Sequence, residues 1–174
     1  MKYTMITAMA ISAGLLFSAC SKDKDDVSNG SHNLEVRMTD APFDATEVNV
    51  DIAKVQVHLS NHPDSGWYDM PTMSGKYNLL ALQNGVDVVI ANGPVPDPTI
   101  TEIRLILNDN NSIMIDGIVY PLTVPSGEQT GLKIKLDKTL TAPNTVVLID
   151  FDAGLSVHLT GNGKYMLRPV LKLK

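Results

Sequence analysis

Cys20 stands alone as a thiol in this chain and directly follows Ser18-Ala19 at the end of an apolar run, Met5 to Phe17. A basic start at Lys2, an apolar middle and small residues before the cut are the order of a secretory leader. Cysteine behind Phe-Ser-Ala reads as a lipobox, where the thiol is acylated and the chain is cleaved just before it. The remaining candidates are carboxylates, imidazoles and one indole. Asp40 and Asp44 flank Ala41-Pro42-Phe43, and Asp150 and Asp152 point to the same face of one strand, with Phe151 opposite. Gathered at one end of a fold, such carboxylates would suit Ca²⁺, which takes about six to eight oxygens. The competing reading is aspartate accepting hydrogen bonds from loop backbone beside a proline-fixed turn. A glycosidase-like carboxylate pair would have to draw on these aspartates and on Glu35, Glu47, Glu102 or Glu128, none of which lies in a cleft motif.

The histidines are His32, His58, His62 and His158. His58 and His62 are four apart, a spacing that brings two ligands together only on a helix. Here His58 belongs to a strand and His62 to the Asn61-His62-Pro63-Asp64 turn, so surface histidines are expected. Trp67-Tyr68 follows a glycine and would either stack sugars or pack into the core at a strand start; core packing is the expectation. There is no His-Glu-x-x-His, no Gly-x-Ser-x-Gly elbow and no phosphate loop before a helix. No catalytic residue and no cofactor is expected, and Cys20, being single, cannot build a zinc site.

The elements that carry these residues have a period of two. Leu34, Val36 and Met38 alternate with Glu35, Arg37 and Thr39, the pattern of a half-buried strand. Val48, Val50 and Ile52 occupy even positions, whereas Val55, Val57 and Leu59 occupy odd ones. A bulge near Ala53-Lys54 restores the register, or the strand changes sheets there. Ile103, Leu105 and Leu107 mark another strand, as do Leu132, Ile134 and Leu136 between lysines. Asp116-Gly117 is a two-residue hairpin signal between Ile113–Ile115 and Ile118–Leu122. Gly161-Asn162-Gly163 turns a second hairpin between 156–159 and 165–173, with Pro169 marking an edge or a bulge. Val146 to Phe151 is apolar enough for a central strand. Leu79, Leu82, Val86 and Val89 keep a helical spacing, yet Gly85 and the β-branched cluster that follows predict a short strand, a turn and another strand.

The 174 residues with net charge −5 therefore divide into a leader (1–19), a lipidated cysteine with a polar, acidic tether (20–32) and one domain (33–174). A domain of that length buries roughly two-thirds of its unfolded surface, and it must do so without disulfides. Many short strands with frequent turns predict an all-β Greek-key sandwich, immunoglobulin-like or transthyretin-like, of about seven to nine strands. The absence of a basic patch argues against nucleic acid as a partner. No later segment approaches the roughly 20 apolar residues that span a bilayer, so the membrane partner would be reached through the lipid alone.

Taken together, the residues resemble the bacterial lipoprotein family called domain of unknown function 4382. The likeness rests on Met38-Thr39-Asp40-Ala41-Pro42, Val48 to Val57, Leu79 to Gly85 and Ile103-Arg104-Leu105. It continues through Asn111-Ser112 to Gly117, Pro121-Leu122, Ser126 to Ile134, Asp150-Phe151-Asp152 and Gly161-Asn162-Gly163. The resemblance implies an exported, usually lipid-anchored β-sandwich and no assigned activity. Thr39, Asp40, Ala41 and Pro42 carry over only as a signature loop of unknown role. The expectation is an outer-membrane lipoprotein of a Gram-negative bacterium, exposed at the surface, that binds a protein or glycan without catalysis or serves a cell-envelope assembly. The alternatives are a Ca²⁺-stabilised binding domain using Asp40, Asp44, Asp150 or Asp152, and a carboxylate-dependent hydrolase.

Overall fold

The computed structural model describes residues 32–43, 45–60, 66–125, 131–140 and 143–174. The expected leader, Cys20, Asp44, His62 and Asp64 lie outside the described residues. The first strand, β1 (His32–Thr39), begins one residue before the expected domain start. It buries Leu34, Val36 and Met38 completely and turns Glu35 and Arg37 outward. A long second strand, β2 (Glu47–Leu59), buries Val48, Val50 and Ile52 and then Val55, Val57 and Leu59. The change of parity is absorbed by a register shift between Ile52 and Lys54, so the chain stays in one sheet across the bulge.

Two short strands, β3 (Trp67–Asp69) and β4 (Gly75–Asn78), pair with β2. Leu79–Leu82 follows as one turn of 3₁₀ helix, which corrects the expected strand. The Asn78 side chain caps it by accepting from Leu80 N at 3.1 Å. Leu79 and Leu82 then stack on one face, as i and i+3 do in a 3₁₀ turn. The β-branched cluster takes effect only from Val88, where β5 (Val88–Val95) begins. Next come β6 (Thr99–Leu107), β7 (Ser112–Ile115), β8 (Ile118–Thr123), β9 (Leu132–Thr139) and β10 (Asn144–Phe151). A single helical turn, α1 (Ala153–Ser156), leads to β11 (Val157–Leu159), β12 (Tyr165–Leu167) and β13 (Leu171–Leu173).

The result is an all-β sandwich of two mixed sheets. One holds four strands in the order β13-β10-β1-β5; the other holds nine along β11-β12-β8-β7-β2-β6-β9, with β3 and β4 on the free edge of β2. The described strands thus outnumber the seven to nine expected, because several are only three or four residues long. β10 lies inside its sheet, parallel to β1. Pro169 does not merely bend a last strand: β12 and β13, on its two sides, belong to different sheets. Lacking an N–H, proline suits that crossing, where no ladder partner is required. Both hairpins form as expected. Asp116 and Gly117 adopt φ of 51° and 77°, the left-handed pair of a type I′ turn.

Register explains the shape of the larger sheet. β6 pairs with Ile52–Leu59 of β2 and β7 with Glu47–Asn49, so the two follow one another along the same edge. Beyond Asn108–Asn111 the sheet forks: β9 continues from β6, whereas β8, β12 and β11 continue from β7. The core fills the space between the sheets and includes Phe151, Met38, Ile90 and Ile103.

Candidate functional site

The flank formed by β7, β8, β12 and β11 carries apolar side chains on its inner face. Paired residues share a face of the pleat, which aligns Ile113 with Tyr120, Ile115 with Ile118, Tyr165 with Leu122 and Leu159, and Leu167 with Val157. Ile113, Leu122 and Leu167 reach the core and are buried. Further out the flank overhangs what the four-stranded sheet can cover, and Leu159 is left 65% exposed. The uncovered part is the floor of a groove of about 510 Å³, lined by Ile113, Ile115, Val157, Leu159 and Tyr165 and walled by Phe43, Ala45 and Thr46. That volume falls within the roughly 300–1,000 Å³ of small-molecule sites. Tyr165 also tilts against Tyr120, ring centroids 5.2 Å apart, while Tyr120 itself stands outside the groove lining.

The signature loop leads into the opposite wall, which begins at Phe43. Thr39 Oγ1 lies 2.8 Å from both the Leu82 and the Val86 carbonyl oxygens, and Asp40 N donates to Leu82 O at 3.1 Å. Asp40 Oδ1 accepts from Ala153 N at 2.9 Å and its Oδ2 accepts from Gln83 Nε2 at 3.2 Å. Gln83 reaches on to the Phe43 carbonyl at 3.4 Å. The loop therefore ties the end of β1 to the 3₁₀ turn and to α1. Its far end sets Phe43 against Gly154, where a Cβ would stand 3.1 Å from the ring. Ala41 is half-buried and Pro42 exposed, and neither lines the groove.

Three of the four aspartates considered for a cation meet at this end, with all their carboxylate oxygens but one already engaged. Asp152 does not continue the strand face of Asp150; it leaves β10 and caps α1, accepting from Leu155 N at 3.0 Å and pairing with Lys172 at 3.0 Å. Asp150 pairs with Lys174 through Oδ2 at 3.1 Å, while its buried Oδ1 has no partner. Burial pushes the Asp40 carboxyl up, against its two donors, and the charges of Asp150 and Asp152 add to the rise. Burial would raise Asp152 also, but the Lys172 ammonium, the Leu155 N–H and the charges of Lys172 and Lys174 hold it below the usual carboxylate range. Among the described residues no group of His, Cys, Asp or Glu has the arrangement of a metal site. Asp44 lies outside them.

Trp67 is a correction. It is not a core residue but stands half-buried on the outer face of β2, β6 and β9. There Arg104 lies over its ring at 4.0 Å and His58 meets its edge at 5.1 Å. His58 Nδ1 is 2.7 Å from Thr101 Oγ1.

Sequence reasoning missed Gln83, Gly154 and Tyr165 as parts of one site. The legible signal was the alternation of Val157, Leu159 and Tyr165 about the Gly-Asn-Gly turn, which puts all three on one face; that this face is left uncovered depends on the fork.

No curated protein and no solved structure matches the chain. The family model described as domain of unknown function, DUF4382, matches residues 31–169. That span holds the signature loop, the fork and the overhanging flank, and the chain accordingly belongs to the DUF4382 family.

Proposed function

We propose that this protein is a lipid-anchored, exported binding module of the cell envelope, without catalysis of its own. The overhang groove carries the binding reading: an apolar floor, the Tyr165 ring and a polar rim at Thr46 and Asp116 are the makings of a ligand site. The anchor reading rests on Cys20 behind Phe17-Ser18-Ala19. A multiply acylated cysteine would hold the domain at a membrane, since each buried CH₂ contributes about 0.8 kcal/mol and stable anchoring takes more than one chain. The polar tether after Cys20 would let the domain stand clear of the bilayer. An outer-membrane address, facing outward, fits the acidic residues beside Cys20. A protein or a glycan is the ligand class.

Metabolic labelling with a fatty-acid analogue in cells tests the anchor. The full chain should take label and sediment with membranes, and Cys20→Ser should do neither; unlabelled wild type rejects the anchor. Protease shaving of intact cells should clip the domain, and protection would overturn the surface address. For the groove, a dye that fluoresces on apolar surfaces should bind Leu159→Lys at least threefold more weakly than wild type. Equal binding rejects the groove as a ligand site.

A further inference from the structure

Arg104 is fixed more firmly than an outward-facing arginine on a sheet needs to be. Its guanidinium carbon lies over the Trp67 ring, 4.0 Å from the centroid, a cation–π contact. Its Nε donates to Gln56 Oε1 at 2.7 Å, and Nη2 donates to the same oxygen. Gln56 Nε2 donates in turn to Asp69 Oδ1 at 2.5 Å, and Asp69 Oδ2 pairs with Lys54 at 2.7 Å. Lys54 and then Gln56 hold the Asp69 carboxyl below its usual range, which keeps the relay oriented. The stem is enclosed as well: Gly131, at φ +100°, leaves room where a Cβ would stand 2.5 Å from Arg104 Cγ and Cδ.

Five N–H donors belong to a guanidinium, and Gln56 takes two. The outer edge, Nη1 with the second Nη2 hydrogen, has no partner among the described residues. A guanidinium held by these contacts, with its outer fork unpartnered among the described residues, suits a bidentate carboxylate, because the entropy of ordering the arginine has already been lost. Register places Lys133 directly beside Arg104 and Lys135 beside Glu102, both lysines exposed, in a chain whose net charge is −5. Lysine on the edge strand β9 also discourages edge pairing, but that role requires neither the stacked tryptophan nor the relay.

We propose that the outer face around Arg104 binds an acidic polysaccharide, with a uronate carboxylate seated on the Arg104 fork and Lys133 beside it. The neighbouring groups favour a sugar over a denser polyanion. Glu102 and Asp69 would repel closely spaced phosphates, whereas Glu102, Thr101 and His58 can exchange hydrogen bonds with hydroxyls. A lipid surface is disfavoured because, among the described residues, none of the exposed large apolar side chains lies on β2, β6 or β9. The proposal deepens the binding-module reading but uses a face separate from the groove. Its failure would leave Cys20 labelling and the groove unaffected.

Affinity of the purified full-length protein in detergent for polygalacturonate is the test, with its methyl ester, polyphosphate and anionic-lipid vesicles as comparators. Binding should be seen with polygalacturonate and fall at least tenfold on methyl esterification. Arg104→Lys, which keeps the charge and loses the fork, should weaken it at least tenfold. Lys133→Gln, at an exposed position whose loss leaves the sheet intact, should weaken it about threefold. An unchanged melting temperature separates these losses from unfolding. No binding by wild type, full retention in Arg104→Lys, or equally tight binding to polyphosphate or vesicles would each overturn the proposal.

Discussion

Asp40 and Asp152 sit at the same end of the sandwich and should respond to pH in opposite senses. The folded chain holds a proton at Asp40 more readily than the unfolded chain does, since burial raises its carboxyl. Its contribution to stability therefore falls as pH rises through and just above the ordinary aspartate range. Asp152 is depressed, so its contribution is present above the unfolded value and is lost as pH falls through the folded one. Asp40→Asn should keep the acceptor for Ala153 N, with the Gln83 amide turned over, and remove the ionisation penalty. Urea unfolding of that variant should give equal or higher stability near neutral pH and a flatter profile in the acid range. Asp40→Ala strands the Ala153 N–H and should cost about 1–3 kcal/mol. A loss of that size in Asp40→Asn as well would show that the carboxylate charge, not the acceptor, is what matters. Aspartate beside a proline-fixed turn was legible as a backbone acceptor. Its donors were not, because Ala153 lies 113 residues away.

The fork in the larger sheet is an event of elements, and Asn111 seals it. At Asp51 the partner of β2 changes from β7 to β6, which leaves a backbone N–H with no ladder acceptor. Asn111 Oδ1 accepts from Asp51 N at 2.8 Å, and Asn111 Nδ2 donates to Asn108 O at 2.7 Å. The residue is 3% exposed, so water cannot replace it. Asn111→Ala should lower stability by about 1–3 kcal/mol and loosen the flank that bears the groove, measured as lower chemical stability and faster amide exchange at Ile113–Tyr120. Unchanged exchange there would show that the flank does not depend on this bond. The parity change in β2 was legible because a bulge must appear wherever buried positions switch from even to odd. The turn at Leu79–Leu82 was not: β-branched residues downstream suggested strand, while the Asn78 cap and the burial of Leu79 and Leu82 decided otherwise.

At the scale of the whole molecule, no covalent cross-link supplements the core and its hydrogen bonds. Cys20 is the single cysteine of the chain, so no disulfide closes the domain, and its melting temperature should be the same with and without reductant. A drop in reductant, measured by calorimetry, would mean that an intermolecular bond through Cys20 contributes. The sequence by itself determined the all-β class, most strand positions and both hairpins. These are local properties, written in the period of two and in the φ preferences of Asp-Gly and Gly-Asn-Gly turns. Only the tertiary structure decided that β12 and β13 lie in different sheets, that Trp67 faces outward beneath Arg104, and that one flank overhangs its partner to leave a groove. Alternation states that a strand has an apolar face but not how much of that face another sheet will cover. Coverage follows from pairings between residues distant in the chain, and no local pattern records them.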